Sequence, residues 1–242
     1  MKKIILSLFL ALQLACTPLL SLTAQSAPIT YEAGISQNAA KKADDNKKTG
    51  DTLTLSAPSV LLMEAKSGTI IYEKDANKQM PPASITKIMT ALLAMEYNQP
   101  DTQVTITEED LALEDGSQMS GLAVGDTVTM DQLFHALLIY SANDAAMAIA
   151  RQVGGSVENF VQMMNDKAAS LAMTGTHFAN PHGLHNENHY TTAYDVYLML
   201  YAAYQHTEFQ NTMSMSSYTL NMTHADGTAG TIYLSSTDKY LT

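Results

Sequence analysis

Pro81-Pro82-Ala83-Ser84-Ile85-Thr86-Lys87-Ile88-Met89-Thr90 sets a proline-punctuated turn in front of an apolar helix, and where the two meet it places a serine and, three residues later, a lysine. On an α-helix, residues three apart share a face, so the lysine can reach the serine hydroxyl. A serine is a poor nucleophile at its own pKa and needs a base beside it. A lysine desolvated in a pocket gives up its proton readily enough to serve. The plain alternative is an N-cap serine and a surface lysine. Context argues for the chemistry: Ile85, Ile88, Met89, Leu92 and Leu93 form a broad apolar face with Ser84 and Lys87 at its border, which predicts a partly buried lysine. Pro81 and Pro82 bar a helix from running in from upstream. Ser84 then falls near a helix N-terminus, where free N–H groups favour developing negative charge.

Downstream, the helix is expected to end near Tyr97, with Pro100 as a stop signal. Residues 101–205 read as mainly helical. Thr107 with Asp110, Thr129 with Gln132 and Thr192 with Asp195 each have capping-box spacing ahead of an apolar stretch. Leu133, Phe134, Leu137 and Leu138 mark one face of a helix ending near Tyr140, and a small-residue helix over residues 145–153 is closed by Gly154-Gly155. Further helices are expected over 157–173 and 194–205. The tail turns β-like through Tyr218-Thr219-Leu220 and Thr231-Ile232-Tyr233-Leu234. Upstream, Ser59-Val60-Leu61-Leu62-Met63 and Thr69-Ile70-Ile71-Tyr72 are β-prone runs on either side of Gly68, which suits the positive φ of a hairpin.

Before that hairpin, residues 28–56 are polar, lack an apolar period and read as a linker. Met1-Lys2-Lys3, the apolar residues 4–14 and the small residues around Ala24-Gln25-Ser26-Ala27 read as a secretory signal covering residues 1–27. The apolar run continues to Leu22, so an uncleaved anchor is an alternative on length. The single cysteine, Cys16, lies in this segment, and Gln13 stands where a lipoprotein site would want an aliphatic residue. The chain beyond residue 27 therefore uses neither disulfides nor thiols, although it reads as exported to an extracytoplasmic location. The 242 residues, 46% of them hydrophobic, can build one or two domains with a real core. A formal charge of −11 argues against nucleic acid as a partner. The methionines read as flexible core filler, and Glu108-Glu109-Asp110 as a helix start.

Ser141-Ala142-Asn143 is a second constellation, an S-x-N triplet between two helices. On a tight turn its hydroxyl and carboxamide can face one cleft, the first relaying a proton and the second holding a substrate peptide bond. The competing explanation is a helix cap. Together with S-x-x-K, the triplet resembles the signature of penicillin-binding proteins and serine β-lactamases. Pro82 to Thr90, Gly116-Ser117-Gln118-Met119, Leu138-Ile139-Tyr140-Ser141-Ala142-Asn143-Asp144-Ala145-Ala146, Phe178-Ala179-Asn180-Pro181-His182-Gly183-Leu184 and Thr191-Thr192-Ala193-Tyr194-Asp195 are similar, in order, to the low-molecular-mass penicillin-binding proteins that are D-alanyl-D-alanine carboxypeptidases. The resemblance covers residues 57–240. It implies an α+β fold: an antiparallel sheet, the Ser84 helix packed against it, and a helical subdomain over about 101–210 carrying the Ser141 triplet.

The resemblance also implies roles. Ser84 would attack the penultimate D-alanine of a peptidoglycan stem peptide ending in D-Ala-D-Ala. Lys87 would act as general base, Ser141 as proton relay and Asn143 as substrate hydrogen-bonding partner, with no metal or other cofactor and with β-lactams as covalent inhibitors. One part is missing. Nothing after Asn143 matches the third motif, K-T-G, and Lys48-Thr49-Gly50 lies in the linker in the wrong chain order. Asp238-Lys239-Tyr240-Leu241-Thr242 looks like the approach to that strand, so the expectation is a chain truncated before it, lacking the remaining strands and any C-terminal membrane anchor. Two rivals share the residues. A β-lactamase would want a Glu-x-x-Leu-Asn segment, which is not found, and a non-catalytic wall-binding or β-lactam-sensing module would keep Ser84 and turn over poorly. His177, His182, His185 and His189 have ligand-like spacings, but proline and glycine interrupt them and no H-E-x-x-H helix frames them.

Overall fold

Alternating side chains on either side of a glycine favour a hairpin, and the first described element is one. The computed structural model describes residues 55–65 and 67–238, all within one contact unit, Ala33–Thr242. The signal segment, nearly all of the linker, Lys48-Thr49-Gly50 and the last four residues lie outside the described residues. β1 (Val60–Glu64) pairs antiparallel with β2 (Thr69–Lys74), with a bulge at Leu62/Met63. Gly68 turns the chain at φ 65 and donates its N–H to Glu64 O at 2.9 Å. No residue of this two-stranded sheet is fully buried.

A 3-10 turn, Ala83–Thr86, leads into α1 (Lys87–Tyr97). Residues 89–94 are all buried, one after another, with Met89, Ala91 and Leu92 at 0% exposure. A helix apolar all round belongs in the middle of a core. The expectation that the Ser84 helix packs on a sheet is therefore corrected: its chief partners are α3, α4, α5 and α6, and it is α6 that packs on β1. Ala91 and Ala94 on α1, and Ala145, Ala146, Ala148 and Ala150 on α4, are all buried at the centre, where small side chains let helices approach closely.

Between α1 and α3 lie two strands that the sequence pattern does not reveal, β3 (Gln103–Thr105) and β4 (Thr127–Thr129). Each is three residues long with one buried valine, Val104 or Val128, too short for a period of two to register. They join β5 (Ser217–Thr223) and β6 (Ala229–Ser235) in an antiparallel sheet of order β3-β4-β5-β6. The short α2 (Glu108–Leu111) starts at Thr107, whose N–H donates to Asp110 Oδ2 at 2.8 Å. α3 (Met130–Ile139) has the full Thr129/Gln132 capping box. α4 (Asn143–Gly154) ends at Gly155 with φ 75, and α5 (Val157–Ser170) is capped by Ser156.

α6 (Ala193–Ala203) and α7 (Thr207–Met213) follow. At α6 only half of the expected box forms: Thr192 accepts from the Asp195 N–H, but the Asp195 carboxylate accepts from Gly175 N–H and Thr176 Oγ1. The fold is α+β. No described helix is long and apolar enough to cross a membrane.

Candidate active site

Ser84 sits in the 3-10 turn, exposed, while Lys87 opens α1 at 3% exposure. The turn is reached through Pro82 at φ −75 and Ala83 at φ 48, a left-handed conformation uncommon outside glycine. Lys87 Nζ donates to Ser84 Oγ at 3.2 Å, to Asn143 Oδ1 at 2.7 Å and to the His182 carbonyl at 2.8 Å. All three ammonium hydrogens thus have acceptors. Burial lowers the Lys87 pKa from 10.5 to about 8, and the Asp144 charge partly offsets the fall. At pH 8 both protonation states are then abundant, whereas an unperturbed lysine is neutral only about once in 300. The lysine can pass between donor and acceptor beside a hydroxyl, which a general base requires.

The triplet falls on the turn between α3 and α4. Asn143 is the first residue of α4; its N–H donates to Gln118 O at 2.8 Å and its side chain accepts from Lys87. Ser141, two residues earlier, is half-buried with φ 61, and its hydroxyl has no hydrogen-bond partner among the described residues. Strained backbone of this kind clusters at functional sites. Ser84, Lys87 and Asn143 are therefore brought into one bonded set, with the Ser141 hydroxyl on the adjoining turn left unengaged.

The histidines fall elsewhere than a metal pattern would put them. His182 contributes its backbone carbonyl to Lys87, and its Nδ1 accepts from Leu184 N–H at 3.1 Å. His189 accepts from Ala179 N–H at Nδ1, 3.1 Å, so its Nε2 carries the proton toward Thr86 Oγ1 at 2.8 Å. His177 Nδ1 lies 2.6 Å from Asn188 O, and His185 is exposed. The His189 ring and the backbone around His182 form a clamp on the Ser84 turn. Thr90 Oγ1 donates to Pro181 O at 2.6 Å, and Asn180 bridges its own turn to Gly183 N–H and Leu184 O. Met80 and Thr191 exchange two backbone bonds at 2.8 and 2.9 Å.

Two groups adjoining this bonded set went unassigned in the sequence: the His182 carbonyl, whose only signal was the Asn180-Pro181-His182-Gly183 turn, and Asp144. The latter has 0% exposure and accepts from Ser120 N–H, Ser120 Oγ and Ala145 N–H.

Both clamp histidines have pKa values pushed from 6.5 down to about 4, mainly by burial; the Lys87 charge adds to the fall at His182, and a neighbouring histidine adds to it at each. Folding therefore favours the neutral rings. Their contribution to stability is complete above pH 6.5 and is lost as pH falls from 6.5 toward 4. His189→Gln, which cannot titrate, should be less stable than wild type at neutral pH, and the gap in Tm should narrow over that window. A gap that stays constant from pH 7 to about 4 would remove this assignment.

The family model described as peptidase S11, D-alanyl-D-alanine carboxypeptidase, matches residues 44–236. The chain belongs to this family. D-alanyl-D-alanine carboxypeptidase DacF of Bacillus subtilis is 40% identical over 159 residues, 64% of this chain and 40% of the relative. DacC of Escherichia coli is 35% identical over 160 residues, 60% of this chain and again 40% of the relative. The chain thus spans 40% of the length of each of these two relatives. Among solved structures, the Streptomyces K15 DD-transpeptidase superposes with a TM-score of 0.75 at 28% identity, covering 80% of this chain and 78% of that one. The Ser84–Lys87–Asn143 set lies within the residues that this family model matches.

Proposed function

We propose that the chain carries the acyl-transfer centre of a serine D-Ala-D-Ala carboxypeptidase acting on peptidoglycan stem peptides. Ser84 attacks the carbonyl of the penultimate D-alanine as Lys87 takes the hydroxyl proton. The Oγ–C bond forms, the C–N bond breaks, and Ser141 relays a proton to the departing D-alanine amine. Asn143 hydrogen-bonds the substrate backbone through its carboxamide, and the Ser84 N–H contributes to the oxyanion site. Water then adds to the acyl-enzyme, releasing the shortened peptide and restoring Ser84. A β-lactam would acylate the same oxygen. The observation that carries this reading is the buried, pKa-lowered Lys87 bonded to both Ser84 Oγ and Asn143 Oδ1.

The D-alanyl-D-alanine carboxypeptidase names of DacF and DacC support the substrate class. An exported location is part of the proposal. It is supported by the positive start and apolar run of residues 1–14 and by a substrate that lies outside the cytoplasmic membrane.

The test is incubation of the purified chain with a fluorescent penicillin and, separately, with a peptide ending in D-Ala-D-Ala. The expected result is a label on Ser84, absent in Ser84→Ala, together with D-alanine release. Label without release would favour the slow-turnover binding module, and absence of label from the wild-type chain would overturn the reading.

A further inference from the structure

Asp144 is a buried charge that the proposed reaction does not use. As an acid in the first turn of α4 it could be an ordinary partner of the helix dipole, but such residues are normally solvated, and this one has 0% exposure. Asp110, equally buried, pairs with the Arg151 guanidinium at 2.7 Å, whereas buried Asp195 takes uncharged donors. Asp144 likewise takes three uncharged donors. The Ser120 N–H lies 3.0 Å from both carboxylate oxygens, the Ser120 hydroxyl is 2.5 Å from Oδ2, and the Ala145 N–H is 3.0 Å from Oδ1. Burial raises the Asp144 pKa above the usual carboxylate value, and the donors from Ser120 and Ala145 work against that rise by favouring the ionised form.

Two of those bonds leave the helix and tie down the segment that carries Gln118, whose carbonyl accepts the Asn143 N–H and whose side chain donates to Tyr140 O at 3.3 Å. The turn holding Ser141 and Asn143 is thus fastened on both sides through one carboxylate. The next residue back, Asn143, is the one that touches Lys87 Nζ. We propose that Asp144 is a positioning residue of this site: it fixes the Asn143 turn against the 117–122 segment and serves as the buried counter-charge of the Lys87 ammonium.

The other groups around Lys87 do not fill that role. His182 and His189 on the clamp are neutral above pH 6.5, being held near 4. Glu96, at the far end of α1, pairs with Lys167 of α5 at 2.6 Å. On α3, Asp131 lies by His135 and the Tyr218 hydroxyl, and on α6 the Asp195 carboxylate is taken by Gly175 and Thr176. Among the described residues Asp144 is the charge whose field raises the Lys87 pKa against the effect of burial.

This inference rests on the reading of Lys87 as the base, and a direct titration separates the two. In the full chain with isotopically labelled lysine, the Lys87 side-chain resonance, assigned by its loss in Lys87→Arg, should titrate near 8. In Asp144→Asn the midpoint should fall by about one pH unit. Ser120→Ala keeps the carboxylate charge and should leave the midpoint where it is or higher, while Asn143 N–H exchange accelerates. An unchanged midpoint in Asp144→Asn, or an equal fall in Ser120→Ala, overturns the proposal. If Asp144→Asn does not fold, the wild-type Asp144 carboxyl carbon decides: its resonance must show an inflection at the Lys87 midpoint, and a flat trace overturns the proposal. Loss of penicillin labelling with the titration intact would count against the enzymatic reading alone.

Discussion

Gly183→Ala is expected to abolish acylation of Ser84 and to destabilise the chain by about 3–5 kcal/mol, a fall in Tm of roughly 10 °C for a domain this size. Gly183 has φ 92, and a Cβ there would run into the Ala83 carbonyl and come within 3.0 Å of Thr86 Oγ1. The first neighbour is backbone, and the second is a buried hydroxyl held by the His189 ring. Ala83 is itself left-handed at φ 48, and its carbonyl belongs to the 3-10 turn that aims Ser84. Moving Gly183 would pull on the His182 carbonyl, one of three acceptors of Lys87, and on the Gly183 N–H bond to Asn180 Oδ1 at 2.7 Å. Gly68→Ala makes the control: φ is 65 there, but nothing lies within 4 Å of the added atom, so only backbone strain of about 1 kcal/mol applies. Thermal unfolding and a fluorescent-penicillin rate measured on both variants compare the two positions. Equal melting temperatures for the two would remove the close-approach argument.

That contrast also shows what sequence can and cannot carry. Ser84 and Lys87 were legible because the information is local: a proline-fixed entry and an i, i+3 pair determine which side chains meet. The caps at Thr107 and Thr129 were legible for the same reason. Lys87 was expected at the border of an apolar face, partly buried; it is almost wholly enclosed, because Thr86, Lys87 and Thr90 are polar by composition yet each is satisfied by groups from distant segments, at His189, Asn143, His182 and Pro181. A hydropathy pattern registers the polarity and not the remote partner. His182 misleads more sharply, since its site contribution is a backbone carbonyl that any residue could offer, and its ring spacing to His185 and His189 suggested ligands. Short strands such as β3, and α7 with only Phe209 and Thr212 buried, fail for want of residues over which a period can repeat.

Lys87→Met should lower the rate of Ser84 acylation by about 10²–10⁴, the usual contribution of a positioned general base, while changing stability little at neutral pH. Two opposing effects lead to the second half of that expectation. The folded state holds the ammonium against a pKa lowered from 10.5 to about 8 at 3% exposure, a disadvantage on the order of 3 kcal/mol that methionine removes. Methionine also leaves Asn143 Oδ1 and the His182 carbonyl without their donor, at about 1–3 kcal/mol each. The two roughly cancel near pH 7 and separate at higher pH. A base whose folded pKa is depressed recovers its stability as pH rises from about 8 to 10.5, so wild type should gain in Tm over Lys87→Met across that interval. Lys87→Arg should show neither acylation nor the gain, because a guanidinium keeps its proton throughout. Acylation surviving in Lys87→Met would assign the base to another group. A wild-type Tm that tracks the methionine variant from neutral to alkaline pH would mean that Lys87 is ionised in the fold much as it is in water, and the pairing with Ser84 would then be a hydrogen bond without a proton to move.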